Sequence, residues 1–149
     1  MAGPPKGTIA IQRASRAAHI PADATLRRWA LAALTRKATL TVRYVGETEA
    51  RRLNREFRGK DYATNVLTFI YDDAPGLEGD IVICATVVAR EAKAQGKPLQ
   101  AHHAHLLVHG VLHVQGFDHE RDRDANRMES REKAILARLG FANPYEGSL

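Results

Sequence analysis

The sequence has almost no cysteine and no long hydrophobic run. Cys84 is the only cysteine among 149 residues, so an intrachain disulfide and a cysteine-based zinc site are both excluded. No apolar stretch approaches the roughly 18 residues that a membrane-spanning helix needs, and the first residues lack the apolar core of a signal peptide. These absences predict a cytoplasmic protein without a membrane partner.

The hydrophobic periodicity predicts one α+β domain over residues 1–149, with helices packed on a small mixed sheet of about four strands. A short connection separates the last two strands, which should therefore pair antiparallel. In the second helix, Ala50, Leu53 and Phe57 form the predicted buried stripe. Thr48 and Asp122 are the predicted N-caps of the second and last helices. The predicted strands are 8–13, 39–45, 65–71 and 79–85, and the predicted helices are 21–37, 48–57, 86–95, 98–115 and 122–139.

Charge is distributed unevenly along the chain. The formal net charge is +5, made up of +8 over residues 1–70 and −3 over residues 71–149. A basic first half suggests a surface that binds a polyanion, although a merely solvated basic surface would have the same composition.

Three histidines lie within eleven residues, at positions 109, 113 and 119. On an α-helix, His109 and His113 are one turn apart on the same face, a spacing with which two imidazoles bind one metal ion. His119 would lie about 15 Å from His109 along a continuing helix, so the chain must turn back for it to join them. Gly116 stands at that point, and glycine readily ends a helix. The pattern predicts a three-histidine metal site with an open fourth position.

The remaining histidines of this helix receive other roles. His105 lies one turn before His109 and is predicted to support the site rather than bind the metal, whereas His102 and His103 are predicted to be packing or surface residues.

A group of zinc peptidases shares the histidine spacing and carries a glutamate base directly after the first histidine. Here Gly110 occupies that position, which argues against peptide hydrolysis by the usual route.

A second constellation is rich in arginine. Arg51, Arg55 and Arg58 share one face of the predicted second helix, and Lys60 follows just beyond its end. Arginine forks hold phosphate oxygens through paired hydrogen bonds, so Arg51 and Arg55, with the nearby cation Lys60, are candidate contacts to phosphate groups. Most arginine-rich helix faces are simply solvated, but residues at the end of an element tend to point into clefts.

The histidine segment 109–119, the arginine segment 53–67 and the strand segment 79–83 occur together, followed by Met128-Glu129 and Leu139-Gly140. In this combination the sequence resembles the YbeY family of metal-dependent endoribonucleases, over about residues 40–145. The resemblance implies a single-domain α+β fold with a zincin-like metal helix, and one Zn²⁺ bound by His109, His113 and His119.

The resemblance also implies a function. It implies single-strand-specific RNA cleavage, maturation of the 3′ end of small-subunit (16S) rRNA, and ribosome quality control, with the small ribosomal subunit and assembly factors as partners. Arg58 matches the catalytic arginine of the family. Asp118 would orient His119 or act as a base beside it, or it would serve only as a turn residue, and the sequence favours neither role.

Two other classes of function stay open. A metallopeptidase is favoured by the histidine spacing and opposed by Gly110. A ribosome-assembly factor would bind RNA without cutting it and would use the metal structurally. A structural zinc site normally has four protein ligands, and the sequence offers only three strong ones.

Overall fold

The computed structural model describes residues 7–71, 76–117 and 121–146, which form four strands and five helices. Within these residues no helix is both long and apolar enough to cross a membrane. The strands and helices alternate in the first half, and the second half is mostly helical. In chain order they are β1 (Thr8–Ala14), α1 (Asp23–Ala32), β2 (Ala38–Val45), α2 (Glu47–Arg58), β3 (Val66–Ile70), β4 (Leu77–Cys84), α3 (Ala85–Gln95), α4 (Leu99–Val114) and α5 (Asp122–Arg138).

The four strands form one mixed sheet in the order β1-β2-β4-β3. β2 pairs in parallel with both β1 and β4, whereas β3 pairs antiparallel with β4. The prediction of a small mixed sheet with an antiparallel final pair is therefore confirmed. β3 lies at one edge of the sheet, next to β4 and to no other described strand.

The two faces of the sheet carry different helices, as the alternation of side chains along β4 makes clear. Ile81 and Ile83 join the large core cluster, which contains the apolar residues of α1, α4 and α5. Val82 and Cys84 point the other way, into a smaller cluster with Ala50 of α2. α2 and α4 therefore lie on opposite faces of the sheet.

The buried stripe of α2 and the N-caps of α2 and α5 differ from the sequence prediction. Phe57, predicted to be buried, is 62% exposed, because it lies at the end of the helix over edge strand β3, beyond which no described strand covers it. The predicted N-caps Thr48 and Asp122 are also wrong. The caps are Gly46 and Arg121, and neither makes a side-chain capping hydrogen bond. Acidic residues in both first turns interact with the helix dipole instead.

A buried tyrosine–histidine pair joins α4 to the sheet. The Tyr44 hydroxyl lies 2.8 Å from His103 Nδ1, and both side chains are almost wholly buried. Burial lowers the pKa of His103 to about 4, with a smaller contribution from neighbouring His102. Burial raises the pKa of Tyr44, so its hydroxyl stays protonated and donates to the neutral imidazole.

We expect the stability of the protein to fall as the pH drops from about 6.5, the usual pKa of histidine, towards 4. In this range the unfolded chain binds a proton at His103 and the folded chain does not, so acid favours unfolding. The full loss is about 3 kcal/mol. Denaturant unfolding at a series of pH values gives the free energy of unfolding as a function of pH. Between pH 6.5 and 4 this free energy should fall less steeply in His103→Gln than in the wild type. Equal slopes would mean that His103 already titrates normally in the folded protein.

Candidate functional site

One open stripe runs along α4. Between positions 102 and 114 every residue is buried except His105, His109 and His113, which are partly exposed. These three side chains are spaced four residues apart, so they lie on successive turns of one helix face. The apolar residues on the other sides of α4 pack into the large core cluster and hold this row facing outward.

Glu132 of α5 contacts the first two histidines of the row, His105 and His109. This carboxylate is wholly buried, and its Oε1 lies 3.0 Å from both His105 Nε2 and His109 Nδ1. Its other oxygen, Oε2, accepts a hydrogen bond of 2.9 Å from the Tyr145 hydroxyl. His105 and His109 therefore share one carboxylate, and the supporting role of His105 at the site stays a prediction.

The hydrogen bonds keep Glu132 ionised despite its burial. Burial alone raises its pKa, but the hydrogen bonds from His105 and His109 outweigh that effect and lower the pKa to about 2. Burial and the nearby carboxylate also raise the pKa of Tyr145, which keeps its hydroxyl a donor. An ionised carboxylate requires donors, so it selects the His109 tautomer that carries its proton on Nδ1.

His113 is oriented in a similar way from the sheet. Its Nδ1 lies 2.7 Å from the Thr68 hydroxyl of β3. With both Nδ1 atoms engaged by side-chain oxygens, Nε2 is the nitrogen through which His109 and His113 would bind a metal ion. Imidazole ligands whose second nitrogen is anchored in this way are typical of zinc sites, so the donor set fits the metal that the sequence predicted.

The chain turns after the histidine helix as predicted. Gly116 has a φ of 100°, which favours glycine, and the Phe117 amide donates a hydrogen bond to the Leu112 carbonyl.

The Gln115 side chain, in the same turn, donates to the Ala33 carbonyl and accepts from the Thr35 amide. These contacts explain why α1 ends at Ala32 instead of extending to 37. The predicted third ligand His119 and its neighbour Asp118 lie outside the described residues.

Gly110 lies where α4 packs tightly against the sheet. A Cβ atom at this position would lie 2.9 Å from Ile81 Cγ2 and 3.5 Å from Thr68 Cγ2. The first distance is too short for carbon atoms in ordinary contact, so a larger side chain would displace the helix or the strand. The glutamate that the zinc peptidases carry at this position does not fit this packing.

The arginine-rich helix lies on the other face of the sheet from the histidine row. Arg51 makes two hydrogen bonds with Asp61, and Arg55 lies 3.7 Å from the same carboxylate. The hydrogen bond from Arg51 holds the pKa of Asp61 below its usual range. Arg58 and Lys60 are exposed and form no ion pair within the described part of the chain. An incoming phosphate would compete with Asp61 for Arg51, but would meet no such competitor at Arg58.

The basic helix end and the histidine row nevertheless reach the same point along β3. The Phe57 ring, next to Arg58, packs against Phe69 at a centroid distance of 5.2 Å. The preceding residue, Thr68, binds His113 on the opposite face. Only the width of one edge strand therefore separates the end of α2 from the last histidine of the described row.

The fold and the site define a class of protein: a single α+β domain whose open histidine row is oriented by the buried carboxylate of Glu132 and by the hydroxyl of Thr68. The sequence profile of the family described as Endoribonuclease YbeY matches residues 10–140, and the chain belongs to this family. The resemblance inferred from the sequence is thereby confirmed.

Individual relatives are similar over nearly their whole length. A protein named Endoribonuclease YbeY from Aromatoleum aromaticum is 61% identical, over 92% of this chain and 91% of the relative. One of the same name from Thiobacillus denitrificans is 55% identical, over 95% and 97%. The solution structure of a protein from Thermotoga maritima shares the fold, with a TM-score of 0.55 and 21% identity over 93% of this chain and 99% of that one.

Sequence reasoning missed the residues that hold the histidines: Glu132, Tyr145 and Thr68. A signal for Glu132 was present. It lies at helical spacing among Met128, Ile135 and Leu136, which are all buried. A carboxylate in the middle of an apolar stripe is expected to have a buried partner. Nothing comparable marks Thr68 or Tyr145.

We expect Glu132→Gln to weaken metal binding by about tenfold to 100-fold, the usual effect of losing such an outer partner. The glutamine keeps the volume of the side chain but has no negative charge. Its NH2 group is also a donor, and it would face groups that themselves donate to Glu132. Competition with a coloured chelator measures the affinity for Zn²⁺. Glu129→Gln, the same change at a partly exposed position of α5, is the matched control. Equal affinities in the two variants would show that Glu132 does not support the metal.

Proposed function

We propose that this protein is a zinc-dependent, single-strand-specific endoribonuclease that acts in late maturation of the 3′ end of 16S rRNA and in ribosome quality control. Its setting would be the cytoplasm, where its partners would be the small ribosomal subunit and assembly factors. Membership of the YbeY family supports RNA as the substrate. The anchored histidine row supports a metal-dependent reaction.

The orientation of His109 and His113 carries this proposal. Two imidazoles one turn apart, each anchored through Nδ1 by a side chain from another element, direct both Nε2 atoms to one side of α4. His119 is the proposed third ligand. These three neutral imidazoles would hold Zn²⁺, which would supply a water activated near neutral pH and a positive charge for the phosphate.

The arginines supply the charge that the phosphodiester needs. Arg58 would stabilise the negative charge that grows on the phosphorus oxygens during cleavage, and its guanidinium has no carboxylate partner in the described regions. Arg51, Arg55 and Lys60 would bind the RNA backbone without reading its sequence. Asp118 is proposed to orient His119 or to act as a base beside it.

Cleavage of a labelled single-stranded RNA by the zinc-loaded protein tests the proposal. We expect the wild type to cut this RNA and a small subunit with 3′-extended 16S rRNA, and to leave a perfect duplex whole. His113→Ala should lose both bound metal and cleavage, because it removes a ligand. The control His19→Asn changes an exposed histidine whose φ of 67° asparagine tolerates. If the wild type retains metal and binds RNA but never cuts, an assembly factor is the better description.

Arg58→Ala should reduce cleavage about 100-fold to 1,000-fold, the usual loss when one donor to a developing anion is removed. Metal content should not change, because Arg58 lies on the opposite face of the sheet from the histidine row. The matched control is Arg28→Ala, which removes an exposed arginine from α1. Single-turnover cleavage with saturating enzyme separates this effect from weaker RNA binding. Turnover equal to the wild type would remove Arg58 from the mechanism.

A further inference from the structure

Phe57 is the most exposed large hydrophobic side chain among the described residues, at 62%. Its ring is nevertheless held in place. It packs edge-to-face against Phe69, with centroids 5.2 Å apart and ring planes at 76°. This contact fixes the orientation of the Phe57 ring and leaves most of its surface open to solvent. An ordered, exposed aromatic ring is well suited to contact another flat, apolar group.

Two cationic residues follow Phe57 closely in the chain. Arg58 is its chain neighbour, Lys60 follows two residues later, and all three are exposed. The acids closest to Phe57 in the sequence are already engaged: Glu56 lies 3.9 Å from Arg52, and Asp61 is bound by Arg51. The flat group that this surface accepts should therefore be attached to a negatively charged backbone, as an unpaired base in RNA is.

The position of the ring along β3 relates it to the histidine row. Phe57 contacts Phe69 on one face of the strand, while Thr68 binds His113 on the other. An RNA strand that reaches both Arg58 and the metal ligands must pass around edge strand β3. Phe57 lies at this crossing, on the side of the basic helix.

We propose that Phe57 is a stacking platform for one unpaired RNA base next to the phosphodiester that is cut. This inference rests on the proposed function and adds a positioning residue to it. Stacking on the ring holds the base on the α2 face while the backbone crosses β3 towards the histidine row. A base inside a duplex is already stacked on both sides and does not reach the ring. The same contact therefore contributes to single-strand preference without selecting a sequence.

Binding of RNA oligonucleotides with one abasic position at successive sites tests the stacking. The wild type should lose affinity when one particular base is missing. Phe57→Leu, which keeps an apolar side chain without a π-face, should bind intact RNA about fivefold to 100-fold more weakly and lose sensitivity to that abasic position. Phe57→Trp should restore both. Because position 57 is exposed, we expect both Phe57 variants to fold like the wild type, and thermal unfolding checks this. Leu31→Ala, an exposed apolar change on α1, should bind like the wild type.

Salt dependence separates stacking from charge. Phe57→Leu should leave the slope of log affinity against log salt concentration unchanged. Arg55→Gln should make this slope shallower by an amount that corresponds to about one-half to one phosphate contact.

If Phe57→Leu binds and cuts intact RNA like the wild type, the stacking role is overturned while the nuclease function stands. The exposed ring would then be interpreted as part of a protein-binding surface. If binding depends on Phe57 but no cleavage occurs, the stacking role stands and the proposed activity falls. Absence of all RNA binding overturns both.

Discussion

The candidate site depends on a buried negative charge. Glu132 is wholly removed from solvent, and an unpaired carboxylate in that position would cost several kcal/mol. Hydrogen bonds from His105, His109 and Tyr145 offset this cost. The donors come from α4 and from the segment after α5, so these parts must dock together for the charge to be tolerated. The same docking sets the tautomer and the direction of His109.

The sheet separates two kinds of chemistry and joins them at its edge. The histidine row lies on one face, and the arginine-rich helix lies on the other. Side chains alternate along a β-strand, so the consecutive residues Thr68 and Phe69 of β3 contact groups on the two opposite faces. This arrangement keeps the arginines away from the histidine row, where their charge would oppose the binding of a metal ion, yet leaves them within reach of one extended polyanion.

Much of the fold was accessible to pattern reasoning, because each element has a clear apolar period and a terminating glycine or turn. The errors arose where a tertiary contact overrides a local preference. α1 stops early because Gln115, far along the chain, binds its last backbone groups. Phe57 obeys the helical period but lies over an edge strand, where the period no longer implies burial.

The sequence by itself determined the elements, the metal-type spacing of His109 and His113 and the family, because these depend on local periodicity and on residue identity. Tertiary structure alone decided which side chains orient the histidines, since Glu132 and Thr68 approach from elements distant in the chain. It also decided that the arginines lie on the opposite face, and that Gly110 is required by close packing against Ile81. Such relations depend on how helices dock on a sheet, which a one-dimensional pattern does not record.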